Sequence, residues 1–139
     1  MTGTPPFPYK NESFTEDSLF EMFGCAKQGG IRYTKKHDRV LLIDSDRSEY
    51  VDEVDRKRGY VIYNGTGEDD QSFDAKYSGA FNGKIRDPDS ALLYFRKPMP
   101  NHLVFRFPVK YLSHTYGRAR NRDGRMRRVI RFKLKILDI

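Results

Sequence analysis

Alternation between apolar and basic residues near the end of the chain constrains the fold most. One side of this segment carries Ile130, Phe132, Leu134 and Ile136, and the other carries Arg131, Lys133 and Lys135. Side chains of a β-strand point alternately to opposite faces. The segment therefore predicts a strand with one buried face and one solvated face.

Other short apolar runs indicate further strands. The run from Val40 to Ile43 is apolar throughout, which is typical of a strand buried on both faces. Segments 31–33, 60–63 and 91–96 also predict strands. In segment 103–109 the apolar residues alternate and are expected on one face: Leu103, Phe105, Phe107 and Val109.

Helical signals are few. Ser13 and Glu16 have the spacing of a capping box, and Leu19, Phe20 and Phe23 predict the buried stripe of a short helix that ends near Gly24. Residues 72–81 fit either a second short helix or an irregular segment, and 117–123 is expected to be a basic hairpin loop. This pattern predicts a mainly β (α+β) fold, a curved sheet or open barrel with one or two short helices.

Length and composition favour one domain. The chain has 139 residues, and we expect residues 1–12, which contain Pro5, Pro6 and Pro8, to form a flexible arm before a single domain at 13–139. Cys25 is the only cysteine, so no internal disulfide can form, and a buried core thiol in a reducing compartment is expected. No apolar run approaches the ~20 residues of a membrane span.

Charge is distributed unevenly. Residues 1–75 contain 10 Lys and Arg against 15 Asp and Glu, whereas residues 76–139 contain 16 against 4. A basic half with interleaved aromatic residues indicates a polyanionic partner, although a charge run is also compatible with a plain solvated face. The proposed phosphate-binding surface consists of Arg118, Arg120, Arg122, Arg125, Arg127, Arg128, Arg131, Lys133 and Lys135.

The stretch from Tyr50 to Gln71 contains the elements of a pocket for a flat, amine-bearing group. Two tyrosines, Tyr50 and Tyr63, flank an acidic segment and a basic loop, and a Gly-x-Gly turn at Gly65 and Gly67 follows. Aromatic rings can stack on a nucleobase, carboxylates can accept from its amine, and glycines allow close approach of the backbone. The alternative is that both tyrosines are ordinary core residues.

These residues, in this order, resemble the SET- and RING-associated (SRA) domain, in the form that precedes HNH nuclease modules in bacterial modification-dependent restriction enzymes. The resemblance covers roughly residues 14–137. Its motifs are Gly29-Gly30-Ile31, Val40-Leu41-Leu42-Ile43, Tyr50-Val51-Asp52, Tyr63-Asn64-Gly65-Thr66-Gly67, Asp70-Gln71 and Asp123-Gly124-x-x-Arg127. It implies an open barrel related to PUA-like folds.

The resemblance also implies roles for individual residues. Tyr50 and Tyr63 would sandwich a flipped modified cytosine, and Asp52 or Glu53 would accept a hydrogen bond from its amine. Gly67 would belong to the pocket turn with Gly65, while Asp70 and Gln71 would brace it. The loop containing Lys35 and Lys36 would add contacts to the DNA backbone.

We therefore expect a non-catalytic reader of 5-methylcytosine or a related mark in duplex DNA, acting by base flipping. Its partners would be modified DNA and a nuclease domain or subunit, because the HNH module of the relatives is not in this chain. Localisation would be cytoplasmic and nucleoid-associated, with no membrane contact. No cofactor or metal is expected, since His37, His102 and His114 lack metal-ligand spacing. Two alternatives are a Mg²⁺-dependent nuclease using the Asp52–Asp70 acids and a PUA-like RNA-binding module.

Overall fold

The structure is a computed structural model that describes residues 8–27, 29–34, 39–45, 53–65, 70–73, 78–87, 90–121 and 123–137. Its two helices are α1 (Glu16–Phe23) and α2 (Ser78–Ile85). Its strands are β1 (Ser13–Phe14), β2 (Ile31–Thr34), β3 (Arg39–Ser45), β4 (Glu53–Asp55), β5 (Tyr60–Asn64), β6 (Ala91–Met99), β7 (His102–Arg120) and β8 (Met126–Ile136).

The strands form one mixed, curved sheet of eight strands in the order β2-β3-β6-β7-β8-β5-β4, with β1 beside β7. Strands β3 and β6 are parallel, and the other described pairs are antiparallel. Within the described residues β2 and β4 do not pair, so the sheet stays open. The predicted mainly β fold is confirmed.

Both faces of the central strands are buried. Val40 and Leu42 of β3 belong to one hydrophobic cluster, which lies on the interior of the curved sheet, and Leu41 and Ile43 belong to a second cluster beneath α1. The apolar run in β3 therefore has the two-sided burial that its composition predicts.

Strand β7 departs from the expected single face. Leu103 and Phe105 lie in the cluster beneath α1, whereas Phe107 and Val109 lie in the interior cluster. The pairing of β7 with β6 shifts between Tyr94 and Phe95, where a β-bulge interrupts the ladder. Because a bulge adds one residue to one strand, it reverses the alternation of side chains beyond it. The expectation of one common face is wrong for this reason.

Helix α1 begins two residues later than the sequence predicts. Its N-cap is Thr15, whose hydroxyl accepts from Ser18 N while the Ser18 hydroxyl accepts from Thr15 N. Ser13 instead pairs with β7, so the Ser13–Glu16 capping box is wrong. Gly24 ends the helix with φ +67°, as predicted, because a left-handed residue suits glycine.

The carboxylate of Glu16 forms an ion pair with the buried side chain of Arg32. Arg32, 1% exposed, donates to both of its oxygens at 2.7 and 3.2 Å, and Lys97 donates at 3.1 Å. Leu19 and Phe23 are buried as expected, whereas Phe20 is 46% exposed and lies under the Lys27 ammonium. These contacts attach α1 to strands β2 and β6.

Two loop predictions also change. Residues 117–120 belong to β7 and pair with β8, so the described residues of the hairpin turn are only 121 and 123–125, with Gly124 at φ +80°. In the segment before residue 13, Asn11 N donates to Phe105 O, and Phe105 N donates to Glu12 O. This part of the proposed arm is joined to the sheet.

Candidate nucleic-acid interface

The turn after β5 is fastened to β8 by a buried glutamine. Gln71 is 1% exposed; its amide donates to Gly65 O at 2.9 Å and accepts from Ile130 N at 2.8 Å. Gly65 N donates to Ile130 O, and Gln71 N donates to Arg128 O. The Gln71 side chain therefore continues the ladder between β5 and β8 in place of a strand residue, and its role at a base pocket stays a prediction.

Close packing explains why residue 65 is glycine. A Cβ atom there would lie 2.8 Å from Asn82 Oδ1 and 2.9 Å from Gln71 Oε1. Asn82 is fully buried and donates to Ser72 O at 3.0 Å, so neither amide can move away easily. Gly65 is needed for close approach of two buried side chains.

Asp70 braces the same turn from the outside. One carboxylate oxygen of this exposed residue accepts from Arg128 N at 2.7 Å. The Arg128 guanidinium in turn donates to Gln71 O at 3.2 and 3.3 Å. The turn predicted to line the base pocket is thus bonded directly to the strand that carries many of the basic residues.

Tyr63 lies in the interior of the curved sheet. Its ring is 3% exposed and packs edge-on against Tyr94 at 6.3 Å. Its hydroxyl lies 2.7 Å from Gly30 O and 3.2 Å from Ile43 O. Because β5 and the β2–β3 pair lie near opposite ends of the strand order, this side chain joins two distant parts of the sheet. A base can stack on the ring only after one ring face is uncovered.

Several predicted site residues lie outside the described residues. These are Lys35, Lys36, Tyr50, Asp52, Gly67 and Arg122. Glu53 begins β4, but its side chain is outside the described part. The assignment of the amine reader to Asp52 or Glu53 and the stacking role of Tyr50 stay predictions.

Most described basic residues of the β7–β8 hairpin are exposed: Arg118, Arg120, Arg125, Arg128, Arg131, Lys133 and Lys135. The alternation predicted for β8 is confirmed, because Phe132 and Leu134 are fully buried between these cations. Arg127 differs. It is 3% exposed, and its guanidinium donates to Ala119 O at 3.0 Å, so it does not belong to the exposed cationic surface.

The sequence prediction missed two exposed apolar residues on the hairpin. Tyr116 is 54% exposed and Met126 is 52% exposed. Tyr116, Arg118 and Arg120 have the period-two spacing of a strand, and this signal was available in the sequence. The expectation of a loop at 117–123 conflicts with this spacing.

The remaining candidate groups are the possible metal ligands and the single cysteine. Within the described part of the chain, no group of three or more His, Cys, Asp or Glu side chains lies close enough together to hold a metal ion. Cys25 is a buried core residue, and burial raises the pKa of its thiol. None of the described helices is long and apolar enough to cross a membrane.

A cavity of about 560 Å³ lies apart from the predicted pocket residues. Leu92, Val109 and Leu137 contribute apolar lining, and Arg39, Arg86 and Lys110 contribute cations. None of the described pocket residues, Tyr63, Gly65, Asp70 or Gln71, lines it. The cavity therefore gives no support to the base pocket.

The curved open sheet with few short helices is the SRA type of fold, as shown by its similarity to a solved SRA domain. The chain belongs to the ScoMcrA-like SRA domain family, whose model matches residues 11–138. A comparison with curated proteins finds no match.

Solved structures agree with this fold. The sulfur-binding and SRA domains of ScoMcrA, complexed with phosphorothioated DNA, align with a TM-score of 0.74 at 18% identity, covering 96% of this chain and 41% of that one. The modification-dependent restriction endonuclease AspBHI aligns with a TM-score of 0.67 at 18% identity, covering 88% and 38%. The SUVH5 SRA domain with hemi-methylated CG DNA aligns with a TM-score of 0.66 at 19% identity, covering 100% and 95%.

The chain thus spans less than half of the ScoMcrA and AspBHI chains that it matches, and almost all of the SUVH5 domain. These relatives are similar to the chain over the SRA fold, and two of them are described in complex with modified DNA.

Proposed function

We propose that this chain is a non-catalytic reader of modified DNA. It binds duplex DNA that carries 5-methylcytosine or a related mark, turns the modified base out of the helix, and directs a nuclease domain or subunit to that DNA. Membership of the SRA family and the modified DNA in two similar structures support this proposal.

The main support from this chain's own residues is the set of hydrogen bonds made by Arg128. Arg128 bonds Asp70 through its backbone and Gln71 through its guanidinium, so the turn at Gly65 and the cationic hairpin form one bonded unit. A flipped base needs a pocket at a fixed distance from the phosphates that flank it. Bracing of the turn by the phosphate-binding strand would maintain that distance.

The chemistry of the arginine, tyrosine and carboxylate side chains suggests a separate role for each. Exposed arginines of the hairpin would contact phosphates, which position the DNA without reading its sequence. Tyr50 and Tyr63, the latter after one face of its buried ring is uncovered, would enclose the base, and stacking on an aromatic ring contributes ~1–3 kcal/mol per base. Asp52 or Glu53 would accept from the C4 amine, which distinguishes cytosine from thymine.

A binding panel tests the proposal. One duplex is prepared with a single cytosine left plain or replaced by its 5-methyl, 5-hydroxymethyl or glucosylated form, and a further copy carries a phosphorothioate linkage. Affinities are measured at one salt concentration with Mg²⁺ present. We expect tighter binding to at least one modified-cytosine duplex and no cleavage.

Other outcomes separate the alternatives. Preference for the phosphorothioate duplex alone would mean that the backbone mark, not a base, is read. Cleavage would favour the nuclease that uses the Asp52–Asp70 acids, and tighter binding to structured RNA would favour an RNA-binding module. If about five phosphates are contacted, log K should fall with log salt at a slope of about −4 to −5.

A further inference from the structure

The two faces of the β7–β8 hairpin differ near its turn. Strand β5 pairs with β8 only as far as the Asn64–Arg131 pair, so the hairpin extends past the described end of β5. Cross-strand partners share a face, and the register pairs Tyr116 with Ile130, Arg118 with Arg128, and Arg120 with Met126. We define the hairpin-tip face as the exposed residues of this set: Tyr116, Arg118, Arg120, Met126 and Arg128.

On the opposite face of the hairpin, the side chains at the same distance from the turn are largely covered. Val129 is fully buried and Arg127 is 3% exposed. The Arg131 side chain lies across Gly117, where an added Cβ would come within 2.8 Å of Arg131 Nε. The exposed cations Lys133 and Lys135 also lie on this face, farther from the turn. The exposed charge of the hairpin is therefore divided between two faces that point away from each other.

The hairpin-tip face continues into the braced turn. Ile130, the partner of Tyr116, is bonded to Gly65 through its carbonyl and to the Gln71 amide through its N–H. DNA that lies across this face would therefore reach the turn proposed to line the base pocket. DNA on the face of Lys133 and Lys135 would lie on the other side of the sheet.

Tyr116 is held as a stacking platform. The Arg128 guanidinium lies 5.1 Å from the centre of its ring, and His114 meets the ring edge-on at 5.5 Å. Arg128 is itself fixed by two hydrogen bonds to Gln71 O. An aromatic ring that is oriented in this way and is still 54% exposed can pack against a sugar or a base.

We infer that duplex DNA lies across the hairpin-tip face, with Arg118 and Arg120 on phosphates and Tyr116 against a sugar or base beside the modified position. Lys133 and Lys135 do not contact the DNA. Charge complementarity favours DNA as the partner. Two described acids lie near the face: Asp70, which already accepts a hydrogen bond from Arg128 N, and Asp123 in the turn. The three arginines of the face therefore leave it positively charged. The inference rests on the proposed function and makes it more specific.

Two matched double variants test the face. Arg118→Gln with Arg120→Gln removes two exposed charges from the hairpin-tip face, and Lys133→Gln with Lys135→Gln removes two from the opposite face. The first pair should reduce the slope of log K against log salt by about 1.8, since each lost phosphate contact removes about 0.9. The second should change the slope by less than about 0.5, because no phosphate contact is lost.

Single variants test the platform. Tyr116→Ala should weaken binding to plain and modified duplexes alike by about fivefold to a hundredfold. Tyr116→Phe should restore binding because it keeps the ring, and Leu112→Ala, which removes another exposed apolar side chain of the same strand, should have little effect. Thermal unfolding of each variant shows whether the fold is kept.

The outcomes separate this inference from the proposed function. Equal slope changes in the two double variants, or wild-type affinity in Tyr116→Ala, would overturn the face assignment and leave a modified-base preference of the wild type intact. A wild type without that preference would overturn the reader, and the slopes on plain duplex would still decide the face.

Discussion

Replacement of Glu16 by glutamine should destabilise the domain far more than the matching change at the next residue. Glu16 accepts two bonds from Arg32, which is 1% exposed, and one from Lys97. Breaking a buried ion pair costs ~3–5 kcal/mol, because the remaining charge is left without its partner. Glutamine keeps one acceptor oxygen, so we expect a loss near the lower end, about 3 kcal/mol.

The neighbouring acid provides the control. Asp17 pairs with Lys27 at 2.9 Å, but the two side chains are 80% and 53% exposed. Asp17→Asn makes the same change in net charge in the same helical turn, so the effect of the helix dipole is shared. An exposed pair contributes ~0–1 kcal/mol, and we expect a loss within that range.

The assay is urea unfolding of both variants, followed by thermal unfolding. For a domain of this size, about 3 kcal/mol corresponds to a decrease in Tm of roughly 10 °C. Equal losses in Glu16→Gln and Asp17→Asn would refute the argument, because they would show that burial of Arg32 does not make the Glu16 pair special.

The pH dependence gives a second readout of the same pair. Burial raises the pKa of Glu16, but the hydrogen bonds and charges of Arg32 and Lys97 outweigh it and hold the pKa below the ordinary 4.5. A carboxyl whose pKa is lowered by folding stabilises the protein above its unfolded value and loses this contribution as the pH falls through the folded value. The gap between wild type and Glu16→Gln should therefore be full near neutral pH and shrink below about pH 4.5.

Three further predictions concern the candidate site. Tyr63→Phe should lower stability by about 1–2 kcal/mol, because it removes the buried hydroxyl bonded to Gly30 O, while modified-base preference persists with the ring; unchanged unfolding would contradict this. Gly65→Ala should cost about 1–3 kcal/mol by overpacking against Asn82 and Gln71, measured by urea unfolding; wild-type stability would show that these amides yield. Asp52→Asn should weaken modified-duplex binding about tenfold to a hundredfold and Glu53→Gln little; preserved preference in both titrations would exclude the carboxylate mechanism.

Local patterns in the sequence were sufficient for the strands and for the family. The alternation in β8 predicts burial of Phe132 and Leu134, and the apolar run of β3 predicts burial on two faces, because strand geometry couples residue order directly to side-chain direction. Gly24 ends α1 as predicted, since a left-handed residue at a helix end favours glycine. The ordered motifs also identified the SRA family.

Long-range contacts decided what these patterns could not. The bulge in the β6–β7 ladder sends Phe105 and Phe107 to different clusters, although their spacing predicts one face. Tyr63 joins β5 to the carbonyls of Gly30, just before β2, and of Ile43 in β3 only because the sheet curves and brings its distant strands together.

The tertiary structure also decided which charged side chains are buried and which are exposed. Arg127 and Arg128 are adjacent and chemically identical, yet one is 3% exposed and bonded to Ala119 O, while the other is exposed and braces Gln71. The sequence by itself determined that a strand with alternating basic residues is present. Which cations face solvent, and on which side of the hairpin, depends on what covers each face. That cover comes from residues distant in sequence, so only the tertiary structure decides it.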